Sequence, residues 1–284
     1  MKKTIIALMA LAGVASASLN YGDAAFQANN ELKNGVVVSY DFNAGGTSYV
    51  ADSSLQWYGW INNGNNSTTF TTTTNGYADL SANGGVYSNV LGNSFNTGSF
   101  TISFDLISTS KNTNYGSILT LYSGNAGYGA GWNKSLSIRN DGSDSTSLIL
   151  GLCAPNADQE GFDGRIEGTK IATGISSTTS TPTTITIVSA AAEEGAQYGI
   201  LTLYINGAKK GEITNWNAKD LTGICFGDIF GGNNKPGQTL IDNLTIWNTA
   251  LSSDAVAAAA IPEPATATLS LLALCGLAAR RRRK

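Results

Sequence analysis

Apolar and polar residues alternate with a period of two over much of the chain, and clusters of Asn, Gly, Ser and Asp separate the alternating segments. A period of two places every second side chain on the same face of a β-strand. Val36, Val38, Tyr40 and Phe42 are therefore predicted to line one face of a first strand. The same pattern predicts further strands at residues 99–108, 117–122, 135–139, 147–153, 165–171, 183–189, 199–205, 223–227 and 239–247.

The clearest local prediction is a hairpin at Asn206-Gly207, which lies between two alternating segments. Both residue types accept the positive φ that a two-residue hairpin turn requires. Residues 62–74 and 178–184 are rich in Ser, Thr and Asn, and their pattern is compatible with either edge strands or loops.

Strands without helical intervals predict an all-β fold, an antiparallel two-sheet sandwich in a single domain. One short helix is expected near the end of this domain, at residues 254–260. Ser252 or Ser253 can cap it, and Asp254 favours its first turn.

The composition excludes several enzyme classes. The chain of 284 residues contains no histidine, so Ser-His-Asp hydrolases, HExxH peptidases and His-ligated metal centres are ruled out. Its three cysteines cannot complete a four-thiolate zinc or iron–sulfur site.

The amino-terminal end has the three parts of a signal peptide. A basic start is followed by an apolar run at residues 4–14 and by the small residues Ala15-Ser16-Ala17. We therefore predict that residues 1–17 are removed and that the mature protein begins near Ser18, outside the cytoplasm. The alternative is that this run forms a buried first helix.

The carboxy-terminal end, residues 261–284, combines Pro262-Glu263-Pro264, an uncharged run at 265–279 and a final basic cluster. As a helix the run spans roughly 23 Å, which is short of a hydrocarbon core of about 30 Å. The basic cluster is expected to stay on the cytoplasmic side of the membrane. A plain tail anchor is the alternative interpretation.

This end closely resembles the PEP-CTERM sorting signal. The resemblance implies that an exosortase, a membrane peptidase, recognises Pro262, Glu263 and Pro264 and removes the tail after transient membrane insertion through residues 265–279. It also implies a final location at the cell surface, in the outer membrane or in the extracellular matrix.

The two ends of the chain are basic, and the middle of the chain is acidic. Seven of the 17 basic residues and one of the 20 acidic residues lie in the processed segments, which leaves 10 bases and 19 acids, a net charge of −9, in residues 18–261. A nucleic acid is therefore excluded as a partner of the mature protein.

The cysteines are divided by the same processing. Cys275 lies in the tail, so Cys153 and Cys225 are the possible pair in an oxidising compartment, and we predict a disulfide between them. Two buried thiols in separate strands are the alternative.

Three segments of the middle resemble LamG-like members of the concanavalin A-like jelly-roll superfamily. They are residues 37–43 with 52–54, residues 99–104 with 203–207, and residues 240–252. Leu55 stands where the family usually has glycine. The resemblance implies that residues 18–260 form a LamG-like domain whose concave face binds a glycan or a protein.

Catalysis is not expected from this domain. Retaining glucanases of the superfamily carry two carboxylates on one strand, about 5 to 5.5 Å apart. The nearest acids, Glu160 and Glu167, differ by an odd number of positions and would point to opposite faces of a regular strand. A concanavalin A-like glycoside hydrolase is therefore the weakest hypothesis.

Aromatic residues near Asn-rich and Gly-rich segments favour a glycan-binding site. Flat aromatic faces stack on sugar rings, and amide side chains hydrogen-bond the hydroxyl groups. The candidate ligand-binding residues are Trp57, Tyr58, Trp60, Tyr128 and Trp132. Packing at the end of the sandwich is the alternative role for the tryptophans, and Trp247 is predicted to lie in the core.

Calcium is the one cofactor that the residue types favour, because Asp and Asn supply hard oxygen ligands. The candidate ligands are Asp41, Asn43, Asp52, Asp228 and Asp242. The same acids are common in turns, where they accept hydrogen bonds from backbone amides.

Together these features predict an exported, non-catalytic LamG-like binding protein at the cell surface or in the matrix. A purely structural matrix protein without a small ligand is the alternative from another class, since low charge and abundant Asn, Ser and Thr fit both.

Overall fold

The structure is a computed structural model, and the residues it describes are numbers 18–42, 48–50, 58–59, 70–81, 86–88, 98–110, 117–123, 133–140, 146–153, 166–194, 198–216, 221, 223–227 and 238–260. The predicted signal peptide, residues 1–17, and the predicted sorting tail, residues 261–284, lie outside this part of the chain. Within it, no helix is long and apolar enough to cross a membrane.

Strands make up most of the described residues. They are β1 Val36–Tyr40, β2 Ser48–Val50, β3 Tyr58–Gly59, β4 Ala78–Asp79, β5 Val86–Ser88, β6 Phe100–Thr109, β7 Ser117–Ser123, β8 Asn133–Asn140, β9 Ser147–Cys153, β10 Ile166–Ser176, β11 Thr183–Ala190, β12 Gly199–Ile205, β13 Ala208–Trp216, β14 Gly223–Phe226 and β15 Thr239–Trp247. The helices are α1 Ala24–Ala28, α2 Asn30–Lys33 and α3 Ser253–Ala259.

The strands form two antiparallel sheets. Sheet A has the order β13-β12-β11-β6-β15-β1-β2, and β4 also pairs with β15. Sheet B has the order β10-β9-β8-β7-β14-β5-β3. The prediction of an all-β, antiparallel two-sheet sandwich is confirmed at this level.

The predicted strands agree closely with the observed ones, and β9, β12 and β15 have the predicted bounds. The hairpin between β12 and β13 turns at Asn206 and Gly207, whose φ values are 50° and 74°. Helix α3 is capped by the Ser252 side chain, which accepts a hydrogen bond from the Ala255 amide at 3.2 Å. Of the Thr-rich segment, residues 178–182 are loop and Thr183 begins β11.

The main core lies between the two sheets. Alternate residues of β6 and β15 supply it from sheet A, and residues of β7, β8 and β14 supply it from sheet B. The largest of these side chains include Phe104 and Phe226, whose rings meet edge to face with centroids 5.7 Å apart. Alternation along each strand therefore leaves a second, outer face on both sheets.

One prediction about β1 is wrong. Val36 does not share a face with Val38, because the pairing of β1 with β15 shifts between these two residues. A β-bulge of this kind adds one residue to a strand and reverses the face of the residues before it. Val38 and Phe42 pack in the main core, whereas Val36 packs against Trp247 on the outer face of sheet A.

The outer face of sheet A is covered by the three helices. Phe26 of α1 stacks on Trp247 of β15 with ring centroids 6.1 Å apart, and the Trp247 indole donates to the Leu32 carbonyl at 2.6 Å. Trp247 is buried, as predicted, but in this second apolar layer. Helices α1 and α2 were not predicted, because at five and four residues they are too short to show a helical period.

The predicted disulfide is wrong. Strand β9, which carries Cys153, is separated from β14, which carries Cys225, by β8 and β7. Three strand spacings amount to about 14 Å, whereas a disulfide requires Cα atoms within about 7 Å. Cys225 is a buried thiol, and its Sγ lies 3.7 Å from the Phe226 carbonyl oxygen.

Candidate functional site

The two outer faces of the sandwich differ in composition and cover. Helices α1, α2 and α3 close the outer face of sheet A with an apolar layer. On sheet B, one row of register-paired positions crosses all seven described strands, and its members on β7, β8 and β14 lie on the face opposite the core. In strand order, this transverse row consists of Tyr58, Tyr87, Cys225, Thr120, Ser137, Gly151 and Lys170.

The middle of the transverse row consists of small residues. Thr120 and Ser137 lie opposite each other on β7 and β8, with their hydroxyl oxygens 3.3 Å apart. The Ser137 hydroxyl also lies within hydrogen-bond distance of the Ser117 hydroxyl, at 3.1 Å, and of the Leu119 carbonyl, at 3.2 Å. Both hydroxyls of the pair are buried. The middle of the transverse row is therefore small, mostly polar and buried.

The ends of the transverse row carry larger residues. Position 58 on the edge strand β3 pairs with position 87 on β5, so two tyrosines follow each other across the sheet. At the opposite edge, Lys170 of β10 is exposed. Of the five predicted ligand-binding aromatics, Tyr58 falls on this row, and Trp57, Trp60, Tyr128 and Trp132 lie outside the described residues.

Tyr87 and Lys170 were not among the predicted site residues. Each is far in sequence from Tyr58, and only the strand order of sheet B brings the three onto one row. A single tyrosine or lysine within an alternating segment carries no signal of its own. Their common row follows from the pairing of distant strands, which the local sequence pattern does not encode.

The acids predicted as calcium ligands are only partly described. Asp41 and Asp242 are close enough for the charge of Asp41 to act on Asp242. Asn43, Asp52 and Asp228 lie outside the described residues. No group of three potential His, Cys, Asp or Glu ligands occurs within the described part of the chain.

Asp242 is a strongly perturbed acid. Burial raises the pKa of its carboxyl to about 6, and the charges of Asp105 and Asp41 act in the same direction. Hydrogen bonds from the backbone amides of Asn243 and Phe42 act in the opposite direction, and the Asn243 amide lies 2.8 Å from Asp242 Oδ1. The Asp242 carboxylate thus accepts hydrogen bonds from two backbone amides of the chain itself.

A second buried acid lies on the outer face of sheet A. Asp105, in β6, is fully buried and pairs in register with Thr184 on one side and Asp242 on the other. Its oxygens accept hydrogen bonds from Ser18, Thr184 and Asn243. The sequence offered one signal for this site, a lone acid at an alternating position of an otherwise uncharged strand.

The carboxylate pair considered for catalysis is not assembled by the described residues. Glu160 lies outside them, and Glu167 is described only as a backbone position of β10. The prediction that the protein is not an enzyme therefore remains a prediction.

Comparison with protein families and with curated proteins finds no match. Solved structures do match. The binding domain of botulinum neurotoxin serotype D has a TM-score of 0.50 and 17% identity over 78% of this chain. Domain 4 of AbnA, an extracellular arabinanase from Geobacillus stearothermophilus solved with arabinotriose, has a TM-score of 0.49 and 17% identity over 79% of this chain and 98% of its own.

The serotype G binding domain has a TM-score of 0.46 and 16% identity over 79% of this chain. This chain spans half the length of both neurotoxin binding domains. At 17% identity the likeness to the serotype D domain concerns the fold alone. The class of protein is thus an antiparallel two-sheet β-sandwich.

Proposed function

We propose that this chain is an exported, non-catalytic binding protein of LamG-like, concanavalin A-like jelly-roll type, and that it binds a neutral glycan at the outer face of sheet B. The observation that carries the proposal is the contrast between the two outer faces. The helices of the chain close the outer face of sheet A with an apolar layer, whereas the transverse row of sheet B has small, mostly polar residues that are buried at its middle, an exposed lysine at one edge and tyrosine positions at the other.

The composition of the transverse row suits a polar, uncharged ligand. Tyrosine rings offer flat apolar faces for stacking on sugar rings. Trp57 and Trp60 lie within two residues of Tyr58 in the sequence, and we include them in the proposed site. The net charge of −9 in residues 18–261 disfavours acidic ligands.

The fold is one that nature uses for recognition. The neurotoxin serotype D domain that shares it is itself a binding domain. This is an analogy at the level of the fold, because function depends on the site that each family has built on it.

Export and sorting are part of the proposal and rest on the two ends of the sequence. Residues 1–17 direct the chain across the membrane, and Pro262, Glu263 and Pro264 direct an exosortase to the tail. Mass spectrometry of the protein from its native host tests both steps, because it identifies the two mature termini. A terminus at Met1 or at Lys284 would contradict the corresponding step.

Ligand binding is tested with a glycan array and the processed chain. Tyr58→Ala, Trp60→Ala and Trp132→Ala are expected to reduce the array signal at least about tenfold, because stacking on an aromatic ring contributes a large share of glycan affinity. Tyr198→Ala is the matched control, since Tyr198 is an exposed aromatic at the start of β12 in sheet A.

A purely structural matrix protein is the second candidate. The burial of Thr120 and Ser137 in the middle of the transverse row favours it, since buried hydroxyls contact no ligand. An array without signal from the folded, processed chain would contradict the binding proposal and support this candidate.

A further inference from the structure

Asp105 is a buried acid, and all the groups that donate hydrogen bonds to it are uncharged. It lies on the outer face of sheet A, beneath the helices, and none of its surface is exposed. Oδ1 accepts a hydrogen bond from the Thr184 hydroxyl at 2.6 Å. Oδ2 accepts from the Asn243 amide at 2.7 Å, from the Ser18 backbone nitrogen at 2.9 Å and from the Ser18 hydroxyl at 3.1 Å.

These donors carry no positive charge. Asp242, the register partner of Asp105 on β15, is a second acid. Burial raises the pKa of the Asp105 carboxyl, although the four hydrogen bonds oppose this effect. A carboxylate in such a place is costly unless a cation pairs with it.

Ser18, one of the three residues that donate to Asp105, is the first residue after the predicted signal peptide. Ser18 follows Ala15-Ser16-Ala17 directly, and it is only 6% exposed. The next residue is also fixed, because the Leu19 amide donates to the Ala259 carbonyl of α3 at 2.8 Å. The nitrogen atom at which the peptidase would cut is therefore held against a buried acid.

We propose that cleavage between Ala17 and Ser18 creates a buried ion pair, in which the new α-ammonium group of Ser18 is the counter-ion of Asp105. The proposal rests on the export step of the proposed function and is independent of glycan binding. It assigns Asp105, with Ser18, Thr184 and Asn243, as a receptor for the mature amino terminus.

The chemistry of this step is peptide hydrolysis by a signal peptidase. The hydroxyl of one water adds to the carbonyl carbon of Ala17, the bond to the Ser18 nitrogen breaks, and that nitrogen is left with two hydrogens. It then takes a third proton, from the solvent or from the Asp105 carboxylic acid, and becomes positively charged. If Asp105 supplies the proton, a neutral acid and a neutral amine become an ion pair without a net change in charge.

An orphan acceptor in the same cluster supports the proposal. Asn243 has a left-handed backbone with φ of 50°, and its Nδ2 is used on Asp105. Its Oδ1 is buried and has no hydrogen-bond partner among the described residues. A peptide nitrogen at Ser18 has one hydrogen, whereas an ammonium group has three. Cleavage therefore adds two hydrogen-bond donors to a cluster in which the Asn243 Oδ1 acceptor has no donor among the described residues.

The site also favours one mature terminus over its neighbours. A chain that keeps Ala17 presents a neutral amide to Asp105, and a chain that starts at Leu19 presents neither the nitrogen nor the hydroxyl of Ser18. Only a chain that begins at Ser18 presents both an ammonium group and the Ser18 hydroxyl to Asp105. Cleavage therefore couples export to the final stability of the sandwich.

The test compares two chains that differ by one residue. One begins at Ser18 and the other at Ala17, both end at Lys284, and both are melted in the same detergent. We expect the chain that begins at Ser18 to melt at least about 5 °C higher, because it alone has the buried pair. In Asp105→Asn versions of both chains the difference is expected to vanish, whereas Asp254→Asn, an exposed acid of α3, is expected to preserve it.

A second measurement covers the case in which Asp105→Asn does not fold. An amine-reactive ester is applied at neutral pH, and peptide mapping reports its addition to the Ser18 nitrogen. In the native chain from Ser18 this addition is expected to be at least about tenfold slower than in the unfolded chain. Equal melting temperatures for the two chains, or fast labelling of the native terminus, would overturn the proposal.

Failure of the ion-pair proposal can be distinguished from failure of the export proposal. If mass spectrometry of the native protein shows a terminus other than Ser18, the cleavage prediction fails while the ion pair of the prepared chain still stands. If the terminus is Ser18 but the two melting temperatures are equal, export stands and the ion pair fails.

Discussion

At the scale of single residues, Asp242 couples stability to pH. Its pKa is raised from 3.8 to about 6 in the folded chain, chiefly by burial, so the folded state binds the proton more tightly than the unfolded state does. The cost of burying this charge is absent below about pH 4, develops between pH 4 and 6, and is complete above pH 6.

Asp242→Asn is therefore expected to raise the melting temperature at pH 7 by about 2 to 4 °C, since partial contact with solvent screens part of the charge effect. At pH 4 the variant and the parent are expected to melt together. The new amide oxygen still accepts the bond from the Asn243 backbone. Glu194→Gln, an exposed acid after β11, is the control without this pH dependence, and a variant that melts lower than its parent at pH 7 would contradict the assignment.

The surroundings of several residues could not be predicted from the sequence, for one physical reason. Asp105, Val36 and Cys225 lie within strands whose existence was predicted, but their roles depend on register and on strand order. A bulge moves Val36 to the other face, two intervening strands keep Cys225 away from Cys153, and Asn243 reaches Asp105 across 138 positions of sequence. Local alternation contains no information on such distant partners.

At the scale of elements, the hairpin between β12 and β13 is tied to helix α3. Gly207 has φ of 74°, and a Cβ there would lie 3.1 Å from Ala257 Cα and 3.1 Å from Ala260 Cβ. Gly174 has a similar φ of 78°, but a Cβ there would meet the flexible end of Lys210. Both positions disfavour a side chain through the left-handed backbone, and Gly207 also abuts the helix.

Gly207→Ala is expected to lower the free energy of unfolding by about 2 to 3 kcal/mol, and Gly174→Ala by about 1 to 2 kcal/mol. Denaturant unfolding of the two variants measures the difference directly. Equal losses would show that α3 can move away from the hairpin without cost.

Helix α3 also distinguishes two neighbouring serines. The Ser252 hydroxyl accepts from the Ala255 amide and lies 2.9 Å from Glu31 Oε2 of α2, so it both caps α3 and joins the two helices. Ser253 is the exposed first residue of the helix. The sequence allowed either serine as the cap, because each precedes the helical segment by a suitable distance.

Ser252→Ala is expected to cost about 1 kcal/mol in the free energy of unfolding, and Ser253→Ala less than about 0.5 kcal/mol. Urea unfolding followed by circular dichroism at the β-sheet band provides both values. If Ser253→Ala costs as much as Ser252→Ala, the cap is misassigned.

At the scale of the whole molecule, both ends of the sandwich emerge on one side. The Leu19 amide is hydrogen-bonded to the Ala259 carbonyl, and both segments lie over the outer face of sheet A. The apolar run begins at residue 265, only four residues after position 260, and four extended residues reach at most about 14 Å. If the tail inserts in a membrane as we propose, we expect the outer face of sheet A to lie nearer the lipid than the outer face of sheet B.

Two lysines test this orientation. Lys33 ends α2, which contacts α3 over the outer face of sheet A, and Lys170 lies on the transverse row of sheet B. When the chain is anchored in vesicles by its tail, a membrane-impermeant amine reagent is expected to modify Lys33 several-fold more slowly than in the chain released at residue 260. Lys170 is expected to react equally fast in both forms, because no lipid approaches that face. Slower modification of Lys170 in the anchored form would place the proposed binding face against the membrane and would contradict a role in capturing glycans before the tail is removed.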